Sequence, residues 1–102
     1  MPDTVPAADC TTMAEVRASI DALDETIVTL LAERMRYMEA AARIKTTRAS
    51  VRDEERKAQV IAHAAAVAKR TGFPTELARS LYETLVEGSI AYEFERWDEG
   101  RG

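Results

Sequence analysis

The feature that most constrains this chain is a long stretch without helix breakers. All four glycines and all three prolines lie outside the stretch from Thr11 to Thr71. A segment of this length that is rich in Ala, Leu, Glu, Arg and Met predicts helix. Within it, apolar residues recur at steps of four and three, the spacing of one helical face: Val16, Ile20, Leu23, Ile27 and Leu30. The sequence therefore predicts an all-α protein.

The first of three predicted helices is very long. It is expected to begin at a capping box, in which Thr12 is followed three residues later by Glu15, and to end at the polar patch of residues 46–51. About 35 residues of helix would span roughly 50 Å, which is longer than a compact domain of this size is across. A lone chain would leave part of the apolar stripe uncovered, so we predict an intertwined helical homodimer with antiparallel first helices. A plain two-stranded coiled coil is the alternative, which the two further helices disfavour.

Two shorter helices are predicted after the polar patch. The second is expected to begin with Ser50 as its cap and to run to Arg70 or Thr71, with Gly72 as its C-terminal cap. The third opens after Pro74 and carries an apolar series whose large members, among them Tyr82 and Trp97, are expected in the core. The predicted organisation is a flexible segment over residues 1–11, a helical domain over 12–98 and a frayed C-terminus over 99–102.

Composition and charge narrow the classes of function. With 46% hydrophobic and 31% charged residues the chain is typical of a globular protein, and no apolar run approaches the roughly 20 residues of a membrane span. The net charge of −4 argues against nucleic acid as a partner, because phosphate contacts need a basic face. A local cluster of basic side chains in an acidic protein still binds a small anion, since salt screens distant charges.

Nothing in the sequence points to a metal, a cofactor or export. His63 is the only histidine, and no Cys, His or carboxylate set with metal-ligand spacing surrounds it. A glycine-rich phosphate loop is absent, and the single Cys10 has no evident catalytic partner. One cysteine forms no internal disulfide, and the first residues lack the basic and apolar regions of a secretory signal. We therefore expect a cofactor-independent protein of the cytoplasm.

Three basic residues interrupt or extend the apolar stripe. Arg34 occupies a seam position that packing alone would give to leucine, which is costly unless the guanidinium is paired; it could also extend out to water or pair with a nearby acid. Lys45 follows eleven residues later on nearly the same face, about 16 Å away, although a lysine near a helix end also complements the dipole. Arg17 lies about 25 Å before Arg34, so it reaches such a site only from the partner of an antiparallel dimer. If the dimer forms, these residues predict a composite site for a small dianion, with two copies per dimer.

Four further candidates have equally ordinary explanations. Asp53 and Arg56 lie in the first turn of the second helix, where an acid at the dipole end and an exposed charge are common. Ser89 and Glu93 are one turn apart in the third helix and could project together, although small residues at helix contacts are often packing devices.

These residues resemble the AroQ class of chorismate mutases over residues 12 to 97. The matching segments are 16–24, 30–34, Lys45 and the run Val51-Arg52-Asp53-Glu54-Glu55-Arg56. The stretch from Arg34 through Tyr37 to Lys45, and the opening Cys10-Thr11, also resemble isochorismate-pyruvate lyases, which share the fold. The resemblance implies an intertwined helical dimer with two composite active sites and a dicarboxylate substrate.

The resemblance also implies a role for each candidate. Arg17 of the partner and Arg34 would hold the two carboxylates, and Lys45 would contact the ether oxygen. The remaining matched positions would complete the site: Asp53, Arg56, Ser89 and Glu93. Two positions depart from the mutase pattern, because Lys57 stands where many bacterial mutases have glutamate and Glu93 where most have glutamine.

The function predicted is a chorismate mutase. Its reaction is a unimolecular pericyclic rearrangement, so catalysis comes from holding the folded conformer and stabilising charge on the breaking ether bond. Glu93 would have to be protonated to donate a hydrogen bond there. The alternatives are an isochorismate-pyruvate lyase, and a non-catalytic helical module that binds ligands or partners, in which Lys57 and Glu93 would be degraded positions.

Overall fold

Residues 4–101 form three α-helices, which confirms the all-α prediction. The computed structural model describes residues 4–101; residues 1–3 and Gly102 lie outside this range. Helix α1 spans Met13–Ile44, α2 spans Glu54–Thr71 and α3 spans Thr75–Arg101, with short 3-10 turns at Ala7–Asp9 and Arg48–Val51. No strand occurs within residues 4–101. None of the helices in this range is both long and apolar enough to cross a membrane.

Helix α1 begins at the predicted capping box. The Glu15 amide donates to Thr12 Oγ1 at 3.2 Å, and the Thr12 amide donates to Glu15 Oε1 at 3.1 Å. The Thr11 amide donates to the same carboxylate, and these bonds lower the pKa of Glu15 from its ordinary value. The reciprocal bonds satisfy amides that have no partner inside the helix. The helix then continues for 32 residues, so the long first helix is confirmed.

The chain forms two compact units, and the boundary between them lies within α1, between Arg36 and Tyr37. In the first unit the N-terminal segment runs against α1, where the Ser19 hydroxyl donates to the Val5 carbonyl at 3.3 Å. This segment was expected to be flexible, and it contains the 3-10 turn Ala7–Asp9. The apolar stripe of α1 stays largely exposed in the single chain, at Ile20, Leu23, Ile27 and Leu30.

In the second unit the start of α2 differs from the prediction. Asp53, and not Ser50, is the N-cap, and its carboxylate accepts the Arg56 amide at 3.0 Å. The Ser50 hydroxyl instead donates to the Thr47 carbonyl at 2.7 Å inside the 3-10 turn. Val51 is 3% exposed, and the chain makes this turn before α2 begins. Burial of Val51 therefore displaces the helix start by three residues.

Helices α2 and α3 pack around a small core. Buried Val51, Val86 and Ile90 form its centre, and the partly buried residues against it include the predicted core members Tyr82 and Trp97. We call the buried alanines of this helix pair, Ala65, Ala68 and Ala78, the alanine seam. Between the helices Gly72 adopts the left-handed conformation, with φ 81°, as the predicted C-terminal cap of α2.

Helix α3 extends further than predicted. It continues through Arg101, although residues 99–102 were expected to be frayed; Gly102 lies outside the described residues. Its later turns contact the end of α1, since the Tyr92 hydroxyl donates to the Glu39 carboxylate. That carboxylate raises the pKa of Tyr92.

Candidate active site

Lys45 and Glu93 form the centre of the candidate site. Lys45 directly follows α1, and its amide donates to the Ala41 carbonyl at 2.9 Å. Its Nζ lies 2.7 Å from Oε2 of Glu93, and the two side chains are 29% and 5% exposed. The alignment is that of an ion pair and not of a hydrogen bond, and within the described chain Oε2 makes no hydrogen bond. A buried carboxylate oxygen is thus left with unused capacity to interact with a donor.

Ser89 lies one turn before Glu93 on α3, and both are buried. Its hydroxyl donates to the Leu85 carbonyl at 2.7 Å. Two neighbouring polar side chains on the buried part of a helix are unusual, since buried polar groups cost free energy unless they are paired. The sequence prediction that these two residues project together is consistent with their shared burial.

Asp53 and Arg56 are exposed at the start of α2. The Asp53 carboxylate caps the helix by accepting the Arg56 amide. The ordinary explanation of Asp53, an acid at the positive end of a helix, therefore describes its contact in the structure. This cap also fixes where the Arg56 side chain leaves the helix.

Lys57 belongs to a charged cluster that the sequence did not reveal. Its Nζ lies 2.8 Å from Glu83 and 2.7 Å from Glu87, both on α3. Glu87 also pairs with Arg52, whose Nη2 lies 2.8 Å from Oε1 of Glu87. Hydrogen bonds from Arg52 and Lys57 lower the pKa of Glu87 from 4.5 to about 2, and those to Glu83 and Glu87 raise the pKa of Lys57. Lys57 therefore links α2 to α3, with its charge balanced by carboxylates.

Arg17 and Arg34 lie on α1 in the first unit. Arg17 is exposed and Arg34 is half-buried. Seventeen residues of continuous helix separate them by about 25 Å along the axis. This separation agrees with the one expected from the sequence, and it is too long for one small molecule to span the two arginines of one chain.

Trp97 and Arg101 were not recognised as site residues from the sequence. The Trp97 indole donates to the Lys45 carbonyl at 3.1 Å, and the Arg101 guanidinium donates to the carbonyls of Ala42 and Lys45. One signal was available, because Glu93, Trp97 and Arg101 recur every four residues on one face of α3. Trp97 was interpreted only as core, and Arg101 fell in the segment expected to be frayed.

Across residues 4–101, no group of three or more His, Cys, Asp or Glu side chains is arranged to hold a metal ion. The charge beside the buried Glu93 carboxylate is the Lys45 ammonium, 2.7 Å away.

Comparison with known proteins identifies the family. The model of chorismate mutase type II matches residues 16–94. This chain belongs to the chorismate mutase type II family. An isochorismate pyruvate lyase from Pseudomonas aeruginosa is 33% identical over 94 residues, which cover 92% of this chain and 93% of that relative. The resemblance identified from the sequence is therefore confirmed.

Membership of the chorismate mutase type II family supports an enzyme of chorismate-related catalysis. The matched range contains the candidate residues of both units: Arg17, Arg34, Lys45, Asp53, Arg56, Ser89 and Glu93. The family model and the lyase relative point to different reactions of related substrates, so the particular reaction belongs to the proposal that follows.

Proposed function

We propose that this protein is a chorismate mutase that rearranges chorismate to prephenate without a cofactor. The observation that carries the proposal is the Lys45–Glu93 pair in a chain of this family, with an ammonium and a buried carboxylate 2.7 Å apart. The reaction is unimolecular and requires no nucleophile. It requires a folded conformer and a donor at the ether oxygen, on which negative charge develops as the bond breaks.

In this proposal Lys45 supplies that donor. Its ammonium is half-buried, so it interacts more strongly with developing charge than it would in water. Arg34 holds one substrate carboxylate, and Arg17 of a second copy holds the other, since a guanidinium matches the geometry of a carboxylate. Asp53, Arg56 and Ser89 are proposed to contact the remaining polar groups of the substrate.

The homodimer is part of the same proposal. The exposed stripe on α1 supports it, because four large aliphatic side chains on one helical face are the kind of surface that a second long helix covers. Arg17 is exposed on the same helix, about one turn before Ile20. The cytoplasm is the proposed location.

The composite site is tested with hybrid dimers. Chains carrying Arg17→Ala and chains carrying Lys45→Ala are each expected to keep only a small residual activity. After mixing and exchange of subunits, one of the two sites in a heterodimer contains both native residues, so activity should return in part. If heterodimers form and no activity returns, Arg17 does not act across subunits.

Glu93 is proposed as the second catalytic group at the ether oxygen. An ionised carboxylate would repel that oxygen, so Glu93 must carry a proton while substrate is bound. We expect turnover to rise as the pH falls below neutral, and Glu93→Gln to keep activity while flattening the profile, because an amide donates at every pH. A wild-type rate that is independent of pH around neutrality would contradict this role.

Isochorismate-pyruvate lyase activity is the second candidate. Two observations favour it: the 33% identical relative is an isochorismate pyruvate lyase, and Lys57 departs from the mutase pattern. The Lys57 ammonium pairs with Glu83 and Glu87. Residue 57 therefore supplies no carboxylate that could bind a substituent of the substrate ring.

One experiment separates the candidates. Purified protein is incubated with chorismate and with isochorismate, and prephenate, salicylate and pyruvate are measured. Prephenate from chorismate supports the mutase; salicylate and pyruvate from isochorismate support the lyase. If neither substrate reacts but a dicarboxylate that resembles the transition state binds, the chain is a non-catalytic ligand-binding module, and the proposed activity is wrong.

A further inference from the structure

The last turn of α1 is held by two side chains from α3. Trp97 Nε1 donates to the Lys45 carbonyl at 3.1 Å, and Arg101 Nη1 donates to the Ala42 carbonyl at 2.9 Å. Arg101 also donates to the Lys45 carbonyl, and its guanidinium lies 4.4 Å above the centre of the Trp97 ring. We call Trp97 and Arg101 the C-terminal clamp.

The clamp satisfies groups that a helix end leaves without partners. The last four carbonyls of an α-helix receive no hydrogen bond from within the helix, and the C-terminus of the helix carries partial negative charge. A guanidinium and an indole N–H directed at Ala42 and Lys45 meet both needs. Trp97 itself packs against the core of the second unit, and this packing restricts the position of its indole N–H.

The same face of α3 holds both ends of Lys45. Glu93 pairs with the Lys45 ammonium, and one turn later Trp97 binds the Lys45 backbone carbonyl. Arg101 adds a third contact after one further turn. With its backbone and its charged end fixed on one rigid helix, the position of the ammonium is set by α3 and not by the flexible lysine stem alone.

The chain after Lys45 is tied to the same part of α3. Arg48 Nε and Nη2 donate to the two carboxylate oxygens of Asp98 at 2.9 and 3.2 Å, and the guanidinium lies 4.5 Å above the Phe94 ring. This pair lowers the pKa of Asp98. Because both partners are about half exposed, the pair adds little stability. Its two parallel hydrogen bonds instead fix how the Arg48 and Asp98 side chains are oriented to each other.

We propose that Trp97 and Arg101 are positioning residues for Lys45 in the reaction. The inference rests on the proposed function, since it assigns a catalytic purpose to the contacts of Lys45. Neither residue touches substrate. They act by keeping the Lys45 ammonium at the depth where it meets the ether oxygen, and a displacement of 1 Å in such a group costs about a hundredfold in rate.

The first test removes the clamp and keeps its shape. Trp97→Phe retains a ring without the N–H, and Arg101→Met retains a stem without the guanidinium. Arg96→Met is the matched control, because Arg96 lies on the same helix, over Tyr92, and pairs with Glu99 instead of α1. The double clamp variant should lose about tenfold or more of kcat, with KM changed less, whereas the control stays near wild type. Replacing Arg101 by lysine instead of methionine in the double variant should give a smaller loss of kcat, because a lysine keeps a cation.

A second test asks whether the loss passes through Lys45. In a Lys45→Ala background, the clamp has no ammonium to place, so the clamp substitutions should lower the residual activity no further. An equal fold-loss in both backgrounds would overturn the proposal, because the clamp would then act on the reaction by another route or only on general stability.

A third readout does not depend on turnover. The Lys45 amide donates to the Ala41 carbonyl, and its hydrogen exchange reports how often the end of α1 opens. The double clamp variant should exchange this amide about tenfold faster or more, with amides in the middle of α2 unchanged. If wild type converts neither substrate, the proposed function fails, and this exchange still decides whether the clamp holds Lys45. Unchanged exchange at Lys45 would refute the clamp.

Discussion

The Lys45–Glu93 pair is unequally buried, so removing either half should have unequal effects on stability. The Glu93 side chain is 5% exposed and that of Lys45 is 29% exposed. Lys45→Met removes the ammonium, keeps most of the stem and leaves a carboxylate among buried groups. Glu93→Gln removes the carboxylate charge and leaves an ammonium to which water has access.

The structure sets the size of each effect. At 2.7 Å and an effective dielectric constant of about 20, the gross attraction is about 6 kcal/mol, most of which the loss of hydration cancels. Removing one partner of a fully buried pair costs about 3–5 kcal/mol, so we expect about 2–4 kcal/mol for Lys45→Met, because water reaches one side of this pair. For Glu93→Gln we expect about 1 kcal/mol. The double variant should be more stable than Lys45→Met alone.

The assay is urea unfolding followed by far-UV circular dichroism at one protein concentration, since the stability of an assembling protein depends on concentration. Lys69→Met is the matched control, because Lys69 is exposed near the end of α2 and should change the free energy of unfolding by less than about 0.5 kcal/mol. If Glu93→Gln costs as much as Lys45→Met, the reasoning from unequal burial is refuted.

Three further predictions concern the second unit. Asp53→Ala should lower the free energy of unfolding by about 1 kcal/mol while Asp53→Asn does not, because only the first removes the helix cap; equal losses in denaturant titrations would contradict the cap. Gly72→Ala should cost about 1–2 kcal/mol because φ is 81°, whereas Gly88→Ala in a helix interior with open space should stabilise, as thermal unfolding of both would reveal. Hydrogen bonds, the strongest of them from Arg52, lower the pKa of Glu87 from 4.5 to about 2. The ionised Glu87 therefore stabilises the fold fully above pH 4.5, and this stabilisation is lost as the pH falls toward 2. In Glu87→Gln the urea midpoint should fall less steeply across that window, and an unchanged slope would count against the cluster.

The helices could be predicted because their signals are local. The capping box of Thr12 and Glu15 and the left-handed Gly72 depend on neighbouring residues, and both were found where the sequence placed them. The start of α2 was misplaced because it depends on burial of Val51 against α3, which no local pattern contains. The end of α3 also depends on distant residues, since the Arg101 guanidinium donates to carbonyls at the end of α1.

Candidate site residues could be selected from the sequence, whereas their contacts could not. Lys45 and Glu93 were selected separately, one by its spacing from Arg34 and one as a polar interruption of an apolar face, but only the fold brings them to 2.7 Å. Lys57 was seen as a departure from a family pattern, whereas its partners on α3 became apparent only in the structure. Pairings between distant parts of the chain are decided by packing, and periodicity within one helix carries no information about them.

The alanine seam has a consequence for how this protein can evolve. A single base change in an alanine codon yields valine, threonine, serine, proline, glycine, aspartate or glutamate, and all of these except glycine are larger than alanine. At Ala65, Ala68 and Ala78, each about 3–5% exposed, added volume could be accommodated only by a shift of the helix that carries the residue, α2 or α3. Because α3 carries Glu93 and the clamp, such a change would reach the candidate site from a position that touches none of its residues. Lineages of this chain are therefore expected to vary little along the seam, even where the surrounding surface changes freely.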